Sequence, residues 1–167
     1  MKKIIVVISA IMLGIVLVSC SGNTKGNKGY DASSNENFIF ETNGIEIKLH
    51  EEAEDIISNL EEYKEYFEAE SCAFEGLDKI YTYSSFEVST YEKDGIDYIS
   101  GISLMDDTVS TKEGISLFQT LEELKSMYGE EYTEENGVYT YTRAQSEISF
   151  MVKANKIVQI EYLALHE

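Results

Sequence analysis

Apolar positions follow two regimes along the chain. From Ile4 to Val18 they are nearly continuous, fifteen residues preceded by Lys2 and Lys3 and closed by Ser19-Cys20. From Ser21 to Asn37 they give way to Gly, Asn, Ser and Lys, and from Phe38 they return in regular patterns. Phe38-Ile39-Phe40 and Ile45-Glu46-Ile47-Lys48-Leu49 alternate on either side of Asn43-Gly44, which predicts a β-hairpin with a two-residue turn. A helix is predicted next. Ala53, Ile56, Ile57, Leu60, Tyr63, Lys64 and Phe67 share one face at helical spacing, and Glu51, Glu52, Glu54 and Asp55 crowd the first turns, where the macrodipole favours acid. Strands are predicted at Ile80–Tyr83, Phe86–Tyr91 and Tyr98–Leu104, the last two joined at Asp94-Gly95.

The second half repeats this order. Gly114-Ile115-Ser116-Leu117 echoes Gly44-Ile45-Glu46-Ile47, and Thr120-Leu121-Glu122-Glu123 is a capping box opening a short helix that Gly129 can close. Leu121, Leu124 and Tyr128 form its apolar stripe, and strands follow at Val138–Thr142, Ile148–Val152 and Ile157–Ala164, with turns at Asn136-Gly137 and Ala154-Asn155. Tyr81-Thr82-Tyr83 matches Tyr139-Thr140-Tyr141, and Glu61-Glu62-Tyr63 matches Glu130-Glu131-Tyr132. The offset is 69 at Glu61 and 58 at Tyr81, so the first copy holds about eleven additional residues between Tyr63 and Ile80, Ser71-Cys72-Ala73-Phe74-Glu75-Gly76 among them. The same matching sets the end of the first helix between Asn59 and Tyr63, against a periodicity that runs on to Phe67. The expected fold is α+β: two tandem repeats of a helix plus antiparallel strands, at about 38–105 and 106–165, with helices packed on one face of an antiparallel sheet. The expected organisation is a signal peptide at 1–19, a flexible tether at 20–37 and a single domain at 38–167.

A basic start, a short apolar core and small residues before the cut make a secretory signal peptide. A membrane-spanning helix needs about 20 apolar residues, and this run stops short at Ser19. Leu17-Val18-Ser19-Cys20 resembles the lipobox of bacterial lipoproteins. The resemblance implies that Cys20 carries a diacylglyceryl thioether, becomes the mature N-terminus, can be acylated again on its amine with a palmitate-type chain, and partners membrane lipid. Two or more acyl chains give stable anchoring, at about 0.8 kcal/mol per buried CH₂. The tether has an r.m.s. reach of roughly 20–25 Å, enough to lift the domain off the headgroups.

Charge narrows the partners. Without the signal, eleven Lys and Arg stand against thirty-one Asp and Glu, a formal charge of about −20 that repels phosphate backbones and anionic headgroups, so no nucleic-acid partner is expected. Twelve Lys to one Arg, with many Ile, Asn, Tyr and Glu, suggests an AT-rich bacterial genome and a Gram-positive host. With Cys20 lipidated, Cys72 has no disulfide partner, and the domain must hold without staples.

From Gly44 to Ala164 the pattern of glycine, short helix, Tyr-Gly and three strands, carried by Gly114-Ile115-Ser116-Leu117 and Leu121 to Gly129, resembles the tandem modules of the β-lactamase-inhibitor-protein fold. It resembles more loosely the small outer-membrane-assembly lipoproteins of the SmpA/OmlA type. The chain departs from the inhibitors in having no disulfide pair and no Trp, so no inhibitory residue carries over.

Candidate chemistry is sparse. His50 and His166 are the only histidines, placed by the sequence at a strand-to-helix junction and at a frayed end. Cys72 has Ser71 and Glu75 beside it, but the acidic setting offers neither base nor electropositive field, so a buried small hydrophobe is expected. Asp94 to Asp97, Asp106-Asp107 and the Glu130–Glu135 cluster lack a calcium-loop pattern, and neither metal nor cofactor is expected. Twelve tyrosines are the one enrichment. Alternation places Tyr81 with Tyr83 and Tyr139 with Tyr141 on shared faces. Two placements are open: in the helix-facing core, or outward as a contact platform for a protein or envelope component, together with Cys72 and Phe74 of the insert. The expected function is a lipid-anchored binding module outside the cytoplasmic membrane with no enzymatic activity. An inhibitor of a secreted enzyme and a Cys72-dependent enzyme are the alternatives.

Overall fold

The computed structural model describes residues 34–72 and 76–166, so Cys20, the signal segment, most of the tether and Phe74 lie outside the described residues. A hairpin of β1 (Ile39–Thr42) and β2 (Ile45–Lys48) leads into α1 (Ala53–Asn59) and then β3 (Glu65–Glu70), β4 (Leu77–Thr82), β5 (Phe86–Lys93) and β6 (Ile96–Leu104). After a long connection come α2 (Leu121–Tyr128), β7 (Thr133–Glu135), β8 (Val138–Arg143), β9 (Ser146–Lys153) and β10 (Lys156–Ala164). The eight later strands form one antiparallel sheet in the order β3-β4-β5-β6-β10-β9-β8-β7, and β1–β2 form a separate two-stranded sheet. β6 and β10 therefore meet in the middle, and β3 and β7 are the edges. Among the described residues no helix is long and apolar enough to cross a membrane.

Local chemistry accounts for most boundaries. Asn43-Gly44, Asp94-Gly95 and Asn136-Gly137 have positive φ at both positions, 50° and 79°, 54° and 78°, 52° and 83°, the backbone that tight hairpins require. Thr120 accepts from the Glu123 backbone N–H while the Glu123 carboxylate accepts from Thr120, completing the capping box of α2, and Gly129 closes that helix at φ 80°. α1 has no side-chain cap and stops at Asn59, within the range the repeat matching set. There Ser58 and Asn59 donate back to the Asp55 carbonyl at 3.0 and 2.7 Å, competing with helix propagation.

Two strands were not foreseen. Tyr63, Lys64 and Phe67 belong to no helix: Glu65–Glu70 is β3, in which Tyr66 faces Tyr81 and Phe67 faces Ile80. The helical spacing there was fortuitous, and paired aromatic and β-branched residues across strands outweigh it. β7 is a three-residue run, too short to show a period.

One buried cluster joins the hairpin (Phe38, Phe40, Ile47, Leu49), the helices (Ala53, Leu124, Tyr128) and strands of both halves (Val88, Ile102, Phe150, Tyr162). The chain entering β1 is fastened to the β8–β9 turn. The Phe38 N–H donates to Ser146 Oγ at 2.8 Å, and the Arg143 guanidinium lies 4.4 Å over the Phe38 ring while donating to the Asn37 carbonyl. On the opposite face one rung crosses all eight strands, from Glu65 through Thr82, Glu87, Ser103, Glu161, Ser149 and Thr140 to Thr133.

Candidate interaction surface

β8 carries Tyr139-Thr140-Tyr141, and Tyr81-Thr82 end β4 with Tyr83 immediately after it; alternation turns both tyrosine pairs to the helix-covered face. Tyr83 and Tyr141 are 1% and 0% exposed, so neither belongs to an outward platform. Tyr141 is enclosed by the rings of Tyr128, Tyr132 and Phe150 at 5.1, 5.7 and 6.0 Å, and its hydroxyl donates to the Gly129 carbonyl at 2.9 Å. Tyr83 stacks on Phe86 at 4.7 Å. Its buried hydroxyl has no partner among the described residues, and burial pushes its pKa up to about 12. The uncovered face instead presents the Ser, Thr and Glu rung. The pleat sends alternate side chains to opposite faces, and along this rung the outward ones are polar, while Phe67 and Leu163 are apolar residues on the same face.

Tyr81 and Tyr139 are half-buried at the margin of the core. Around Tyr81 the structure assembles what the sequence did not single out. Tyr63 and Tyr66 lie 5.4 and 5.1 Å from the Tyr81 ring, 6.1 Å from each other, and are 42% and 43% exposed. Tyr66 donates its hydroxyl to the Glu68 carboxylate, which raises the phenol pKa. Phe67, on the other face of β3, is 60% exposed. Tyr81 also walls a cleft of about 500 Å³ between α1 and the β5–β6 turn, with Ala53, Ile57, Ile96 and Asp97. Asp97 accepts from Lys79 at 2.6 Å, a contact that raises the lysine pKa, while its other carboxylate oxygen is shielded from solvent without a donor. The signal for this cluster was the Glu-Tyr-Phe-Glu-Ala-Glu alternation of 65–70, hidden beneath the helical spacing.

Cys72 is exposed, contrary to the buried hydrophobe expected, because it follows an edge strand whose every residue faces solvent. It sits in the β3–β4 connection beside residues 73–75, which are not described. Among the described residues no group of three His, Cys, Asp or Glu is placed to hold a metal ion.

The two histidines, which sequence separation had set apart, meet. Their ring centroids are 5.2 Å apart, and His166 stands edge-on to Tyr91 at 4.7 Å. His50 donates from Nε2 to the Gln145 carbonyl at 2.9 Å, so its Nδ1 is the acceptor for the Tyr91 hydroxyl at 3.3 Å. The Leu165 N–H also donates to Gln145 O at 2.9 Å, fastening the C-terminal segment that was read as frayed. Burial, then repulsion from His50, lowers the His166 pKa. The unfolded chain thus binds this proton more tightly than the folded one. The contribution is complete at neutral pH, is lost as pH falls through the unfolded value of about 6.5, and levels off below the folded value. Urea midpoints at pH 7.5 and 5.5 are expected to fall further for the wild type than for His166→Gln, and equal losses would refute the coupling.

No protein-family model matches this chain, and neither a curated protein nor a solved structure was found to be similar to it.

Proposed function

We propose that the chain is a lipid-anchored interaction module displayed outside the cytoplasmic membrane, built from two copies of one unit and recognising a protein or envelope component. Leu17-Val18-Ser19-Cys20 supports the anchor and the address. The Tyr-Thr-Tyr and Glu-Glu-Tyr matches support the two copies, as does the order of one helix followed by four strands, α1 with β3–β6 and α2 with β7–β10. The mirrored strand order about β6 and β10 agrees with such a duplication.

The observation that carries recognition is the exposed aromatic run of β3. Tyr63, just before β3, and Tyr66 and Phe67 on β3 stand in solvent where the chain enters the hairpin that holds the additional residues and leads to Cys72. Exposed aromatics grouped on one edge, on an insert unique to one copy, are the usual material of a contact site. The test is cross-linking of the C-terminally tagged full chain in the cell envelope. Cys20→Ala should move the chain from the membrane to the soluble fraction, and retention in the membrane would sink the anchor. Tyr66→Ser with Phe67→Ser should reduce recovery of a cross-linked partner several-fold, and unchanged recovery of every partner would sink the recognition reading.

A further inference from the structure

We infer that β3 is an acceptor edge for a basic extended segment of a partner protein, which adds to the sheet as a ninth strand; this rests on the interaction-module reading above and names its partner chemistry. β3 has a neighbour on one side only among the described strands, so six residues of backbone, Glu65–Glu70, present unpaired groups along their outer edge. Alternation sets Tyr66, Glu68 and Glu70 on the helix-side face and Glu65, Phe67 and Ala69 on the other.

Charge selects the occupant. None of Glu65, Glu68 and Glu70 is in an ion pair among the described residues, and Lys79, the residue facing Glu68 across the ladder, is turned onto Asp97 instead. A second copy laid on this edge would set these carboxylates against one another at cross-strand distance, where like charges destabilise. A strand with Lys or Arg at alternate positions meets the same carboxylates as partners and has an apolar neighbour in Phe67. The opposite edge, β7, is only three residues long and does not offer the same length of backbone.

The aromatic trio points to the same chemistry. In the second half, the Tyr132 ring carries the Lys125 ammonium 4.9 Å from its centroid, and Glu130 pairs with that ammonium at 3.0 Å. The offset that matches Glu61 and Tyr63 to Glu130 and Tyr132 puts Ile56 at the position of Lys125. The first half therefore repeats the ring, the carboxylate in sequence and the second tyrosine, Tyr81 beside Tyr63 as Tyr139 is beside Tyr132, without the helix lysine, and adds Tyr66 against both rings. A cation over such rings, flanked by carboxylates, is favourable. A basic side chain from an added strand supplies it.

The test uses the full chain in detergent with two probe decapeptides, (Lys-Val)₅ and (Glu-Val)₅. The lysine peptide is expected to bind, to protect β3 amides from hydrogen exchange, and to shift the Tyr63 and Tyr66 ring protons; the glutamate peptide is expected to do none of these. Tyr63→Leu with Tyr66→Leu, and separately Glu68→Gln with Glu70→Gln, should each weaken binding tenfold or more. Glu134→Gln with Glu135→Gln on β7 should change it less than twofold. All of these side chains are solvent-facing, and an unchanged melting temperature verifies folding. Absent β3 protection, equal binding of both peptides, or an equal loss from the β7 pair overturns the inference by showing only the diffuse acidic field. If the peptide arm fails while envelope cross-linking still depends on Tyr66 and Phe67, the module reading stands and strand addition falls. If neither depends on β3, both fall.

Discussion

Phe40→Ala is expected to destabilise the domain by about 3–5 kcal/mol and to lower its melting temperature by roughly 10–20 °C. Phe40 is fully buried although it lies in the small hairpin outside the main sheet. Its ring packs against Phe86 of β5 at 5.2 Å and Tyr162 of β10 at 6.1 Å, one strand from each half. Truncation leaves a cavity between the hairpin and the β5 and β10 side chains it packs on. The surrounding rings belong to pleated strands that cannot collapse inward without breaking their ladders. Thermal melts of the full chain check this, and a fall of only a few degrees would show that the hairpin is an appendage instead of part of the core.

Tyr83 and Tyr141, the last residues of the two Tyr-Thr-Tyr triplets, should respond with opposite signs. Tyr141→Ala removes three ring contacts and the bond to Gly129, and is expected to cost about 3–5 kcal/mol. Tyr141→Phe keeps the ring and removes the bond to the Gly129 carbonyl at the end of α2, at about 1 kcal/mol. Tyr83→Phe removes a buried hydroxyl that has no partner among the described residues, so stability should hold or rise by up to about 1 kcal/mol. Urea unfolding of the three variants decides the matter. A loss at Tyr83→Phe as large as that at Tyr141→Phe would show that the Tyr83 hydroxyl is satisfied in solution.

Turns and caps were readable because their chemistry is local. Asn43-Gly44, Asp94-Gly95 and Asn136-Gly137 carry their positive φ wherever they stand, and Thr120 with Glu123 needs only three intervening bonds of helix to meet. β5, β6, β8, β9 and β10 were readable because their inward side chains alternate. β3 was not, since an edge strand buries neither face and so writes no burial pattern; Phe67, with Tyr63 and Lys64 before the strand, then fell into the helical register of the residues before them. The direction of the Tyr-Thr-Tyr triplets was undetermined for a different reason. Alternation says which residues share a face, and only the placement of α1, α2 and the hairpin says which face is covered. The meeting of His50 with His166 depends on the return of the C-terminal segment past the β8–β9 turn, a contact 116 residues apart in the chain that no local pattern records.

β10 is the last of the ten described strands in chain order, yet it lies at the centre of the main sheet, paired with β6 on one side and β9 on the other. Neither half can close before it arrives. A nascent chain that has reached Lys153 still shows Ile102 and Leu104 along an unpaired central edge, and the contacts that reward its ordering span more than fifty residues. The main sheet is thus joined only when β10 is in place, and a chain that stops at Lys153 is left with an apolar seam open to self-association.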